Sequence, residues 1–347
     1  MARKILWASL ALAPLTFVAD FLLHFGDVAL FVLASIALIP LAWLIGEATD
    51  HAAHHTGPGI GGFLNATFGN APELIISLFA ISNGLTEVVR GSLTGSVVGN
   101  LLLVLGFSLL FGRGNQSVDR ASSFRWLALV LIATLVFLIP AIPGWHGDPE
   151  RHFIAVLSIP VSIVVLVLYV GVTWWQLRRH RRRHTAPGSA EGVWRLRSSV
   201  AALAAATAAT AVVAEILVGS IETFADRAHL SDFFVAAVIV AIVGNAAEHG
   251  GAVIVAYRGK VELAAEIAIS SSAQVAVFLI PAVALLSWLI DPLALSFRKV
   301  ELGAVGFSAV LIGLLFADRR SSNWHGAALI AVYVGVAGAF FYAGDRG

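Results

Sequence analysis

Long apolar stretches separated by short polar segments recur along the whole chain. A helix needs roughly 20 apolar residues to cross a hydrocarbon core of about 30 Å. Inside a bilayer each backbone polar group must be satisfied within the spanning structure, which favours helices. The pattern therefore predicts an all-α membrane protein with eleven transmembrane helices, near residues 5–23, 28–48, 61–82, 88–111, 124–142, 153–177, 198–225, 232–256, 261–288, 299–317 and 324–343.

The first apolar stretch follows Arg3 and Lys4, as the apolar region of a secretory signal peptide would. Pro14 and the continuation of the apolar run to Leu23 favour a retained first helix instead. We therefore expect an uncleaved N-terminal helix.

Composition agrees with a membrane protein. Of 347 residues, 59% are hydrophobic and 12% are charged, whereas soluble domains have about 25% charged residues. An ordinary soluble fold is thereby excluded. The chain has no cysteine, which excludes disulfides and thiolate metal sites.

The one clear hydrophilic linker, 178–197, carries an arginine-rich run and separates two sets of five helices, with the first helix left over. If this linker is cytoplasmic, 16 of the 22 Lys and Arg residues lie on the cytoplasmic side, as the positive-inside rule expects. The N-terminus is then inside. We interpret the arginine run as an anchor on anionic headgroups; nucleic-acid binding is the alternative, but no folded domain accompanies the run. The short loops favour a prokaryotic inner membrane.

A five-residue motif occurs twice. Gly-Asn-Ala-Pro-Glu at 69–73 is followed 175 residues later by Gly-Asn-Ala-Ala-Glu at 244–248. The same offset relates two further pairs: Glu47 and Glu222, and residues 95–96 and 270–271. Because five helices is an odd number, the second copy would enter the membrane from the opposite side, an arrangement typical of secondary transporters. The predicted divisions are an N-terminal helix at 1–27, a first five-helix repeat at 28–177, the linker at 178–197 and a second repeat at 198–347.

Transporters with inverted repeats bind their substrate near the midplane, where broken helices from the two copies meet. Gly69, Pro72 and Gly244 are the expected helix interrupters. Pro72 lacks an N–H and leaves a carbonyl of the preceding turn without its helical donor. Inside a membrane that carbonyl needs another partner, and a bound cation is one.

Glu73 and Glu248 are the two acids placed well inside apolar segments, at matching positions. An ionisable group at membrane depth is costly and is read as functional; the alternative is a neutral acid that serves helix packing. Asn70 and Asn245 precede them by three residues and share their helix faces. Carboxylate, amide and carbonyl oxygens suit calcium or a similar hard cation. The same acids can bind protons, so competition between the two ions would couple their fluxes.

Other polar residues leave two interpretations open. Ser96, Ser271, Ser272 and Gln274 could complete the ion cage or serve close helix packing. Glu47 and Glu222, nearer the helix ends, could line an access path or extend to the headgroups. His249 points roughly 100° away from Glu248 around the helix and is expected outside the ligand set. We interpret His51, His54 and His55 as a cap in a predicted cytoplasmic loop, with pH sensing as the alternative.

The motifs, with the segments that follow them, resemble the two repeats of the calcium/proton exchangers, the CAX branch of the calcium/cation antiporter superfamily. The resemblance rests on residues 69–77, 95–106, 244–249 and 269–276 and extends over essentially the whole chain. It implies that Glu73 and Glu248 bind the cation and the proton. It also implies neighbouring ligands at Asn70, Asn245, Ser96 and Gln274 and at the carbonyls of Gly69 and Gly244.

The sequence departs from the family pattern at two positions. Gly99 stands where Ser is common, and Ser270 stands where Gly is usual. Both departures concern the outer ligands. The Gly-Thr-Ser-x-Pro-Glu/Asp pattern of the sodium/calcium exchangers is absent, which argues against sodium coupling.

The expected function is a calcium/proton antiporter that exports Ca²⁺ from the cytoplasm by alternating access. We expect no enzyme activity, no cofactor beyond the transported ions, no nucleic-acid partner and a lipid bilayer as surroundings; a homo-oligomer is left open. The alternatives are a broader sodium or potassium/proton antiporter, a passive cation channel and an intramembrane hydrolase that uses paired carboxylates.

Overall fold

The structure, a computed structural model, describes residues 2–113, 119–181, 193–317 and 322–346. Its regular elements are helices throughout these ranges, so the all-α prediction is confirmed for them. The α-helices are α1 Ala2–Ser9, α2 Leu12–Phe21, α3 Asp27–Phe68, α4 Ala71–Ser82, α5 Thr86–Val98, α6 Leu105–Phe111, α7 Arg120–Gly144, α8 His152–Arg181, α9 Leu196–Ala228, α10 Asp232–Phe234, α11 Ala241–Gly244, α12 Ala246–Tyr257, α13 Val261–Gln274, α14 Ile280–Leu286, α15 Lys299–Ala317 and α16 Asn323–Ala343. Three π-helical segments connect some of them: Gly99–Val104, Val235–Val240 and Val275–Leu279.

Within the described ranges, nine helices are long and apolar enough to cross a membrane. A tenth span is obtained if the bent pair Asp232–Gly244 and Glu248–Tyr257, which meet at 58°, is counted as one. These helices make the chain an integral membrane protein. The number eleven stays a prediction, because the predicted span 61–82 is interrupted between α3 and α4.

Helix α3 is sharply bent near its C-terminal end. A Cβ built on Gly61 would lie 3.0 Å from the Cβ of Ala53, whereas eight residues of straight helix rise about 12 Å. The chain therefore folds back between these residues. His51, His54 and His55 are helical, so the prediction that they lie in a loop was wrong. Their Ala-rich surroundings favour extension of the helix beyond the apolar stretch.

Helices α3 and α9 form the most extensive helix pair in the described chain. The Phe31 and Phe224 rings stack at 4.0 Å between centroids, and the Thr223 hydroxyl donates to Asp27 at 2.9 Å. Farther along α3, His55 Nε2 donates to the Trp194 carbonyl at 2.7 Å. The His51 ring stacks on Trp194 at 4.6 Å. The chain entering α9 is thus held against α3. Most of the predicted linker lies outside the described residues.

Several helix boundaries recur at the offset that separates the two motifs. Helices α4 and α12 both have 12 residues, and each starts and ends 175 positions from its counterpart. Helices α6 and α14 are related in the same way, and the π-helical segments before them end at matching residues. π-Helical turns are rare and occur mostly at functional sites.

Helix α5 is buried on all sides, from Val88 through Val98. Two glycines one turn apart bring its backbone against residues 233–237. A Cβ on Gly91 would lie 2.9 Å from the Phe233 carbonyl oxygen, and a Cβ on Gly95 would overlap the Ala237 carbonyl. Small residues at this spacing allow close helix contact in membranes, where packing rather than the hydrophobic effect drives association.

The Gly95→Ala variant is expected to be less stable by about 1–3 kcal/mol, because the added methyl group has no space. The midpoint of thermal unfolding in detergent should fall accordingly. Gly303→Ala is the matched control, since Gly303 is helical and has open space around its Cβ position. The control should unfold at the wild-type temperature or above. Equal midpoints for wild type and Gly95→Ala would contradict the close contact.

Candidate functional site

Both Gly-Asn motifs break a helix inside the protein. Asn70 lies between α3 and α4, with φ −103° and ψ 17°. Asn245 lies between α11 and α12, with φ −92° and ψ 4°. These conformations fall outside the α-helical region. Pro72 is in the first turn of α4, where a missing N–H does no harm because that donor has no helical partner. The expected interruptions are thus present at both motifs.

Each acid lies beside the helix break of the other motif. Glu73 is in the first turn of α4 and Glu248 in the first turn of α12, where the helix dipole favours negative charge. A Cβ on Gly244 would lie 3.4 Å from Oε1 of Glu73, and a Cβ on Gly69 would lie 3.7 Å from Oε1 of Glu248. Each carboxylate therefore packs against the glycine of the other motif. Larger residues at these glycines would occupy the space between the two half-helices.

One carboxylate oxygen of Glu73 is available to bind an ion. The side chain is 5% exposed, and among the described residues its Oε2 has no hydrogen-bond partner. A buried carboxylate oxygen is costly unless a hydrogen bond or an ion satisfies it. This oxygen therefore suits a bound cation or a proton.

A chain of hydrogen bonds orients the other acid. The Ser271 hydroxyl donates to Oε2 of Glu248. The amide of Asn100 donates to the Ser271 oxygen at 3.2 Å, and Nε2 of His249 donates to Oδ1 of Asn100 at 3.1 Å. His249 thus contacts Asn100 and not the carboxylate. This geometry agrees with the prediction that His249 lies outside the ligand set.

Asn245 is held by two hydrogen bonds from its side-chain amide. Nδ2 donates to the Ser96 hydroxyl at 2.8 Å and to the Ala241 carbonyl at 2.9 Å. Because both amide protons are used in these two hydrogen bonds, the orientation of the side-chain oxygen is fixed. Asn70, its counterpart, is 1% exposed at the other break.

The remaining candidates are described by other contacts or by their position alone. The hydrogen bonds that join the described site residues do not include Gln274, which is the last residue of α13. The Ser272 hydroxyl donates to the carbonyls of Val97 and Ala268, which is a packing role. Glu47 is on α3 near His51, with Oε1 and Nε2 at 3.6 Å. Glu222 is exposed on α9.

Sequence reasoning missed Asn100 and gave too little weight to Ser271. Both are polar, both lie in otherwise apolar helices, and both are nearly inaccessible to solvent. Asn100 belongs to the π-helical segment after α5, where the side-chain register differs from that of an α-helix. Its position in an apolar span was the available signal, but the facing residue could not be read from the sequence.

The site offers two carboxylates and several neutral oxygens. In the described part of the chain no three His, Asp or Glu side chains converge in a way that could hold a metal ion. A resident transition-metal centre would need a denser set of such ligands. Two carboxylates with amide, hydroxyl and carbonyl oxygens form a hard, adaptable set that suits calcium.

Comparison with known proteins agrees with this arrangement. The family model described as sodium/calcium exchanger protein matches residues 27–178 and 198–342. The Ca²⁺/H⁺ antiporter ChaA of Bacillus subtilis (strain 168) is 38% identical over 342 residues, covering 94% of this chain and 96% of that protein.

Two solved structures have the same fold. Native YfkE superposes with a TM-score of 0.83 at 35% identity, covering 98% of this chain and 99% of that one. The H⁺/Ca²⁺ exchanger CAX gives a TM-score of 0.72 at 17% identity over 98% of this chain and 92% of that one, which is a likeness of fold alone. The chain therefore belongs to the sodium/calcium exchanger protein family, and within it to the calcium/proton exchanger (CAX) group.

Proposed function

We propose that this protein is a calcium/proton antiporter that exports Ca²⁺ from the cytoplasm in exchange for H⁺. The observation that carries the proposal is the reciprocal packing of Glu73 against Gly244 and of Glu248 against Gly69. This packing presents two carboxylates to one small space inside the membrane. The relatives named Ca²⁺/H⁺ antiporter, which match nearly the full length of the chain, support it.

Exchange follows from competition for the two acids. A divalent cation neutralises both carboxylates, and protons do the same when the cation leaves. The empty site keeps two uncompensated charges in a medium of low dielectric constant, which is costly. A transporter that changes access only when this charge is neutralised exchanges the ions without leakage.

The proposed architecture is one N-terminal helix, 1–27, followed by two inverted five-helix repeats, 28–177 and 198–347, on either side of the linker 178–197. The recurrence of helix boundaries at the motif offset supports this division. The repeat relation would also explain why each motif supplies one acid, one amide and one glycine to a common site.

The proposed orientation places the N-terminus and the linker inside a prokaryotic cell membrane, on the basis of the Lys and Arg distribution. Glu47 and Glu222 would then lie toward opposite sides of the membrane, on the paired helices α3 and α9. We assign them to the two access paths. The ligands proposed beside the acids are Asn70, Asn245, Ser96, Gln274 and the carbonyls of Gly69 and Gly244.

An antiporter for sodium or potassium is the second candidate, because the same carboxylates can bind monovalent cations. Calcium uptake into proteoliposomes under an imposed proton gradient separates the two. We expect calcium uptake that collapses when the proton gradient is dissipated. Equimolar sodium should change this uptake by no more than about twofold, since two carboxylates attract a divalent ion more strongly than a monovalent one. Strong competition by sodium would favour the alternative, and calcium flux without proton counterflux would indicate a channel.

Glu73→Gln and Glu248→Gln should each abolish calcium/proton exchange, because each removes a charge that the cation neutralises and a site that protons occupy. A fall of at least about 100-fold in initial rate is expected, because even the loss of an outer-shell partner of a metal ligand typically costs about 10- to 100-fold. Glu262→Gln is the matched control: Glu262 is exposed in the first turn of α13 and does not contact the described site. Wild-type exchange by either test variant would refute the assignment.

A further inference from the structure

A second group of charged side chains lies at the end of α5 away from Asn100, and two of its members, Arg90 and Glu301, are buried. Its centre is Arg90, which is 1% exposed. Nη2 of Arg90 lies 2.6 Å from Oε1 of Glu87 and 2.7 Å from Oε1 of Glu150. Nη1 donates to the Ala294 carbonyl and the Ser296 hydroxyl, both at 3.3 Å. One guanidinium thus connects α5 to the segments that precede α8 and α15.

Glu301 is the acid at the inner edge of this group and is fully buried. It accepts hydrogen bonds from the backbone N–H of Arg298 at 2.6 Å and from its Nε at 3.3 Å. The Thr94 hydroxyl of α5 donates to Glu301 at 3.5 Å. With Arg346, which lies 3.4 Å from Glu87, the group balances three arginines against three glutamates. The balance matters because an unpaired buried charge is strongly destabilising.

The group acts on a helix that also reaches the ion site. Arg90 and Thr94 are one turn apart and face the segment before α15 and α15 itself. Gly91 and Gly95 bring the same helix against residues 233–237. Ser96 follows immediately and holds Asn245. Contacts on two sides of α5 therefore set how far Ser96 lies from the Asn245 amide.

We propose that Arg90, Thr94 and Glu301 are positioning residues that set calcium affinity by fixing α5, and thereby the hydrogen bond from Asn245 to Ser96. This inference rests on the proposed function of the ion site. None of the three residues touches the two acids in the described structure. A displacement of α5 by about 1 Å would break a 2.8 Å hydrogen bond and leave the side-chain oxygen of Asn245 without a fixed orientation.

The Thr94→Val and Thr94→Ser pair tests this with little risk to folding. Valine keeps the shape but removes the hydroxyl that meets Glu301, whereas serine keeps the hydroxyl. The dissociation constant for Ca²⁺ is measured by titration calorimetry on the purified full chain. Thr94→Val should weaken binding about 3- to 5-fold, the effect of one lost hydrogen bond. Thr94→Ser should bind like wild type.

Arg90→Lys is the stronger perturbation. Lysine retains the charge, but its compact ammonium cannot hold Glu87, Glu150 and Ser296 together as the planar guanidinium does. We expect calcium binding about tenfold weaker, the loss of one or two charge-assisted hydrogen bonds. The exchange rate at saturating calcium should stay within about twofold, because the two acids are unchanged.

Arg120→Gln controls for a general loss of stability. Nε of Arg120 donates to the Phe316 carbonyl at 3.0 Å and so ties α7 to α15 without contacting α5. This variant should unfold at a lower temperature and bind calcium like wild type. If Arg90→Lys does not fold, the dissociation constants of Thr94→Val and Thr94→Ser decide whether the inference holds.

Variants with lower unfolding midpoints but wild-type dissociation constants would overturn the inference and leave the group a purely structural role. A wild-type protein that binds no calcium would overturn the proposed function, and the inference with it. The two failures are therefore distinguishable on the same set of proteins.

Discussion

The structure depends on enclosing two carboxylates among packed helices, where water solvates them poorly: Glu73 is buried and Glu248 is partly buried. An isolated charge there costs several kcal/mol, so the chain must bring each acid to a point where another group or an ion compensates it. The broken helices achieve this. Each break starts a new helix that carries the acid in its first turn, and the helix N-terminus favours its negative charge. The missing side chains of Gly69 and Gly244 allow the opposite acid to approach.

From this constraint the rest of the site can be understood. Neutral groups orient the acids and their neighbours without adding charge: Ser271 contacts Glu248, and Ser96 contacts Asn245. The charge of a site with two carboxylates and neutral oxygens can be neutralised by one divalent cation, or by protons in its place. The arginine–glutamate group around Arg90 balances its own charges, so it can fix α5 near the site without changing the net charge that the ion encounters.

The acids and the breaks could be predicted because they follow from local features, namely a charge in an apolar segment and Gly or Pro beside it, repeated at one offset. Asn100 and the Arg90 group could not. Their partners lie on other helices, far apart in sequence. In addition, an arginine near a helix end, such as Arg90, is readily interpreted as a contact to lipid headgroups. The histidines near residue 51 were misplaced because the end of an apolar stretch does not show how far the helix continues beyond it.

The central claim is that Glu73 and Glu248 share one site for which calcium and protons compete. Calcium-dependent proton release from the purified protein in weakly buffered solution tests it most directly. The account predicts that calcium releases protons from the wild-type protein and releases few or none when either acid is replaced by glutamine. Proton release of wild-type size from either variant would contradict it.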